Sequence, residues 1–126
     1  IASMERVTAA LPHGYRAIIG SVGAAGYVPF EVVPAHLSKA VGIRAICDHV
    51  GIPLSRTVAL GDSNNDVEAV ATAGLGISIG DDCEALVDVA DIVAPAVADD
   101  GLAWALRAAG LTADERTGSQ GLGDAR

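Results

Sequence analysis

From Lys39 onward the apolar positions alternate between helical stripes and short continuous runs, each bounded by Gly, Asp or Pro. Ser38 is placed to cap a helix from Lys39 to about Val50, with Val41, Ala45, Ile46 and Val50 on one face and Gly51 as its terminator. Residues 57–60 form an apolar run of the kind buried on both faces of a parallel sheet. The chain then turns through Gly61, Asp62, Ser63 and Asn64 into a second helix, whose stripe is Val67, Val70 and Ala71 and whose stop is Gly74. Leu75 to Ile79 predicts another buried strand, and Asp81 with Glu84 predicts a capping box for a helix running to Ala90. Ile92 to Ala94 predicts a third strand. A last helix is expected over residues 100–109, with Leu102, Ala105 and Leu106 inward, Trp104 at its margin and Gly110 at its end. This alternation predicts right-handed βαβ units in an α/β sheet.

The first part of the chain follows a different pattern. Residues 4–11 have weak helical periodicity and stop at Pro12, His13 and Gly14. Two extended runs, 15–21 and 27–33, flank a Gly-containing turn, and Pro34 closes the second, which predicts a hairpin. This segment is expected to be a piece of a second module. Residues 112–126 are polar and patternless, and are expected to be a disordered tail. A chain opening on Ile1 is expected to be cut from a longer one or to lack its start. Met4 could equally be an initiator behind a remnant.

Composition narrows the class. Apolar residues make up 51% of the 126 but aromatics only 3%, so Ala, Val, Leu, Ile and Gly must supply the core, as in a close-packed α/β domain. No run approaches the roughly 18 apolar residues of a membrane span, and no signal-peptide pattern opens the chain. A formal net charge of −8 argues against nucleic acid as a partner. Cys47 and Cys83 lack metal-ligand spacing and read as small buried hydrophobes in a reducing cytoplasm. Of eight basic residues only one is lysine, Lys39. A phosphorylated ligand would need such a local exception to the acidic field.

The chemistry concentrates where the run 57–60 ends. A buried parallel strand delivers Asp62 at its C-terminal edge, where ligands bind in open α/β sheets, and Gly61 lets the backbone approach closely. Asp66 follows at the start of the next helix, so both carboxylates can face one crevice suited to Mg²⁺ and a phosphate. Other readings remain open on spacing alone. The cluster could be an Asx turn and cap. A calcium loop would need Gly and Glu where Val67 and Ala73 stand. A merely solvated acidic face fits poorly behind so apolar a strand.

The stretch Gly61-Asp62-Ser63-Asn64-Asn65-Asp66, followed by Ala73-Gly74-Leu75-Gly76-Ile77-Ser78-Ile79-Gly80, resembles the fourth motif of the haloacid dehalogenase (HAD) superfamily. It is similar in particular to the Cof-type, subfamily IIB phosphatases, whose pattern is GDxxND and then AG-x-G. Val89-Ala90-Asp91-Ile92-Val93 and Asp99-Asp100-Gly101-Leu102 match the same branch, and Leu37-Ser38-Lys39-Ala40 sits where it has its third-motif lysine. The resemblance covers residues 27–111, and more loosely the hairpin before them. It implies the C-terminal half of a Rossmann-like parallel sheet with helices on both faces over residues 35–111. Residues 1–34 would be the closing helix and hairpin of an α+β cap module. By position, Asp62 would bind Mg²⁺ directly and Asp66 would support the metal or orient its neighbours. Asn65 would hydrogen-bond the phosphoryl group, and Lys39 would neutralise it.

One departure matters. The family's nucleophile lies in a DxDGT/V motif that this chain does not contain, and Asp99-Asp100-Gly101 already belongs to the last helix. Ser21 mimics the second-motif hydroxyl but falls in the hairpin. The expectation is therefore a part of a Mg²⁺-dependent, cytoplasmic phosphatase acting on a small phosphorylated metabolite through an aspartyl-phosphate, with the nucleophile outside this chain. Alone the chain is expected to be inactive, and to pair with the missing N-terminal half of the core or a second copy of itself. The alternative is a non-catalytic binding domain that retains the half-site. Phosphoserine-phosphatase-like or P-type-ATPase-like parents fit less well, since their fourth motif favours GDGxND.

Overall fold

A computed structural model of the chain describes residues 2–19 and 28–112. Its elements run α1 (Ala2–Ala9), β1 (Tyr15–Ile19), β2 (Phe30–Pro34), α2 (Lys39–Val50), β3 (Val58–Gly61), α3 (Val67–Thr72), β4 (Leu75–Ile79), α4 (Glu84–Val87), β5 (Ile92–Ala94) and α5 (Gly101–Ala108). Strands β3, β4 and β5 form a parallel sheet in that order, with Val58 opposite Leu75 and Ile77 opposite Ile92. Strands β1 and β2 form a separate antiparallel pair, registered from Tyr15 opposite Pro34 to Ile19 opposite Phe30.

Alternation along the strands sends successive side chains to opposite faces, and each face has its own core. On one face Ala59 packs with Ala69, Val70 and Leu86, and Ile43 of α2 joins them. On the other, Ile77, Ile79 and Ala94 pack with Ala105 of α5, flanked by Val58, Leu60 and Leu75. Helices therefore cover both faces, as the α/β reading requires. Ile77 and Leu86 are fully buried, and each such side chain contributes about 1.5–3 kcal/mol.

Several boundaries are as the sequence predicts. Ser38 caps α2 by accepting the Val41 N–H at 3.3 Å, and Gly51 ends the helix in the left-handed region at φ 73°. The inward face of α2, however, is Ala40 and Cys47 with Ile43, while Val41, Ala45, Ile46 and Val50 point outward. Both sets have helical spacing. The set with Ile43 faces in, where Ile43 packs against the cluster of Ala59, Ala69, Val70 and Leu86.

Other expectations shift. Asp81 is not a cap: Gly80, at φ 79°, bends the chain out of β4, and α4 begins only at Glu84 with Cys83 at its N-cap. Glu84 is thus the first helical residue, so the capping box cannot form, and the α-helix ends at Val87 rather than Ala90. Gly74 is no helix terminator either. The helix stops at Thr72, and a Cβ on residue 74 would meet the Ser55 carbonyl oxygen at 2.4 Å. In α3 the buried pair is Ala69 and Val70, with Ala71 outward, and in α5 Leu102 is outward while Ala105 is buried. Cys47 is buried and Cys83 half-buried, both as free thiols. No helix among the described residues is long and apolar enough to cross a membrane. Ser21, Tyr27, the turn of the hairpin and all of the expected tail after Thr112 lie outside the described residues.

Candidate functional site

The C-terminal end of β3 builds the site. Gly61 is the last strand residue and is buried, and the chain then passes through Asp62 and Ser63 into a 3-10 turn at Asn64–Asp66 that leads directly into α3. That turn folds the side chain of Asp66 back over the strand end. Its Oδ2 accepts the backbone N–H of Asp62 at 3.2 Å and the Ser63 hydroxyl at 3.3 Å. Its Oδ1 accepts the ammonium of Lys39, which arrives from the first residue of α2, 27 residues earlier. Lys39 and Asp66 thus pair at one strand end, on a loop that also carries Asp62 and Asn65, but the side chain of Asp62 does not join them.

Their surroundings differ in a way that bears on chemistry. Asp66 is buried and its carboxylate is committed to protein donors. Lys39 keeps half of its side chain exposed and uses one of its three donors on Asp66. Asn65 accepts the Ser63 hydroxyl through Oδ1 at 2.7 Å, which leaves its amide N–H groups as donors. The carboxylate of Asp62 is exposed and makes no hydrogen bond or ion pair among the described residues.

Lys39 and Asn65 stand at the edge of a cleft of about 840 Å³ between the hairpin and α2, whose walls include Val33, Leu37 and Val41. Asp62 opens instead on an adjoining hollow of about 270 Å³ with Ser63, Asn64, Asp82, Cys83 and Glu84. Mg²⁺ prefers hard oxygens, keeps several waters, and binds through one or two carboxylates together with substrate phosphate. Among the described residues no group of three His, Cys, Asp or Glu side chains converges to hold a metal by protein alone. The free Asp62 carboxylate fits an ion shared with a phosphate rather than one in a closed cage.

Sequence patterns missed two features. Arg16 on β1 reaches Glu68 in α3, and Glu68 is held below the usual carboxylate range. The Ser38 hydroxyl is the main cause, opposed by burial and reinforced by Arg16. Nothing in the sequence around Arg16 signals this contact, because its partners lie 21 and 52 residues away. Asp91 accepts the Gly76 N–H at 2.8 Å and its own N–H bonds the Gly76 carbonyl, so the Val-Ala-Asp string secures β4 against β5.

A family model described as haloacid dehalogenase-like hydrolase matches residues 2–106. The 5-amino-6-(5-phospho-D-ribitylamino)uracil phosphatase of Bacillus subtilis is 33% identical over 84 residues, which are 67% of this chain and 31% of that protein. The structure superposes on a HAD subclass IIB sugar phosphatase with a TM-score of 0.71 and 26% identity, covering 88% of this chain and 40% of that one. A HAD phosphatase from Bacteroides thetaiotaomicron gives a TM-score of 0.69 at 29% identity, over 87% of this chain and 39% of that one. The chain therefore spans less than half the length of each of these relatives.

Proposed function

Because the chain belongs to the haloacid dehalogenase-like hydrolases, we propose that it is the magnesium- and phosphate-facing part of a Cof-type, cytoplasmic phosphatase acting on a small phosphomonoester of the sugar-phosphate kind. The observation that carries this is the pairing of Lys39 with Asp66, whose carboxylate also receives the Asp62 N–H while the Asp62 side chain stays exposed at the adjoining hollow. Asp62 would hold Mg²⁺, with Asp66 fixing the loop behind it. When bound, the ion would add positive charge at the phosphoryl oxygens.

The chain's own residues would do the rest. Lys39, as a compact charge on a flexible stem, would neutralise the phosphoryl oxygens as charge develops on them. Asp66 aims that ammonium and, through the Asp62 N–H, sets the orientation of the strand end. Asn65 would donate its amide to a phosphoryl oxygen. We place the attacking carboxylate of the aspartyl-phosphate route outside this sequence, which contains no DxDGT/V string. Residues 1–34 would then be the end of a cap module beside the site.

Calorimetric titration of the chain with inorganic phosphate, with and without Mg²⁺, tests this reading. Phosphate is expected to bind only when Mg²⁺ is present, and Asp62→Asn is expected to abolish that Mg²⁺-dependent binding. Phosphate binding that ignores Mg²⁺, or that survives unchanged in Asp62→Asn, would count decisively against it.

A further inference from the structure

Arg16 ties together three segments that the sequence keeps apart. From β1, its Nη1 donates to Glu68 Oε1 at 3.3 Å and its Nη2 to Oε2 at 3.2 Å, a two-on-two pairing that only a guanidinium can make. The same Nη2 also donates to the Leu37 carbonyl at 2.9 Å. Leu37 immediately precedes Ser38 and Lys39 at the start of α2, and Glu68 lies in the first turn of α3, just after Asp66. One side chain thus grips the two helix starts that carry the two halves of the Lys39–Asp66 pair.

That grip addresses a mechanical problem. Lysine has a long, flexible stem, so its ammonium is only as well placed as the backbone that carries it. Asp66 is fixed by its burial in the 3-10 turn that follows β3, whereas Lys39 depends on where α2 begins. α2 packs toward α3 through Ile43 and buries Ala40 near its start, and the loop at residues 35–38 leads into it. Arg16 anchors this loop through the Leu37 carbonyl, alongside the Ser38 hydroxyl that bonds Glu68. Arg16 and Glu68 are respectively 35% and 51% exposed, and ion pairs so placed add little to global stability, so a local role has to explain the geometry.

We propose that Arg16 is a positioning residue that locks the start of α2 to the first turn of α3 and so holds Lys39 in register with Asp66. The proposal rests on the reading of Lys39 as the phosphoryl-facing lysine. Because Lys39 is the chain's single lysine, incorporation of ¹³C-labelled lysine into the full chain gives one side-chain NMR signal. The same lysine in urea-unfolded chain marks the unpaired position.

In Arg16→Gln the Lys39 signal is expected to move toward the unfolded position, and in Glu68→Gln to move in the same direction by less. The methyl signals of Ile77 and Leu86 should stay where they are. A Lys39 signal unmoved in both variants overturns the proposal. Should Arg16→Gln disturb the core methyls, Glu68→Gln decides: a shift with an intact core upholds the lock, and no shift refutes it. Addition of inorganic phosphate with Mg²⁺ to the parent chain separates the two readings. A Lys39 signal indifferent to phosphate speaks against the phosphoryl role alone, while the comparison of variants still judges Arg16.

Discussion

Asp66 occupies the space where a side chain on residue 61 would begin: a Cβ built on Gly61 would lie 2.2 Å from the Asp66 Cβ and 2.8 Å from its Cγ. The glycine and the aspartate are therefore one device. With no side chain at 61, the carboxylate can fold back over the end of β3 and receive Lys39, the Asp62 N–H and the Ser63 hydroxyl together.

Gly61→Ala should accordingly cost about 1–3 kcal/mol, the range of overpacking in a filled site. The clash is with atoms next to the backbone, not with the far end of a flexible side chain. Urea titration followed by circular dichroism would measure it. A midpoint equal to that of the parent would mean that the 3-10 turn can move away freely.

The two partners of the ion pair should differ in cost. Asp66 is 11% exposed in its side chain and Lys39 52%. Asp66→Ala strands the Asp62 N–H and removes the partner of the ammonium, while the Ser63 hydroxyl keeps Asn65, and is expected to lose about 1–3 kcal/mol. Lys39→Met should lose less, because its stem can still lie on the surface. Equal destabilisation of the two variants would contradict this ordering.

The strands and the loop after β3 were legible in the sequence for a physical reason. Buried parallel strands leave continuous apolar runs, and the Gly61–Asp66 spacing is fixed by a local turn. The orientation of α2 was not legible. Ala40, Ile43 and Cys47 compete with Val41, Ala45, Ile46 and Val50 at the same periodicity, and only packing against α3 decides between them. The Asp81–Glu84 box failed because the bend at Gly80 consumes the residues that a cap would need. Arg16 could not be found at all, since its partners Leu37 and Glu68 lie 21 and 52 residues away with no pattern between them.

Activity provides a further test. The chain alone is expected to release no p-nitrophenol from para-nitrophenyl phosphate with Mg²⁺ above a buffer blank. Turnover that disappears in Asp62→Asn would reveal a nucleophile within these 126 residues. In a longer enzyme carrying this segment, Lys39→Ala and Asp62→Ala should each lower kcat by about 100- to 1,000-fold, the usual loss for one charge-stabilising group.

The open side of the sheet leads to the last prediction. Strand β3 pairs with β4 on one side, and among the described residues no strand pairs with its other edge. An unpaired, apolar edge is a template for association. Beyond the strand, the outer face of α2 adds Val41 at 43% exposure, Ile46 at 63% and Val50 at 56%, more apolar surface than one helix should leave to water. The purified chain is therefore expected to associate, through a second copy or through a polypeptide that supplies a strand beside β3. Light scattering measures this directly, and Ile46→Glu with Val50→Glu should shift the population toward smaller species. A monodisperse species of 12.6 kDa that unfolds cooperatively would refute the prediction. It would mean that residues outside those described cover the edge, and would favour the self-contained binding domain over the partial enzyme.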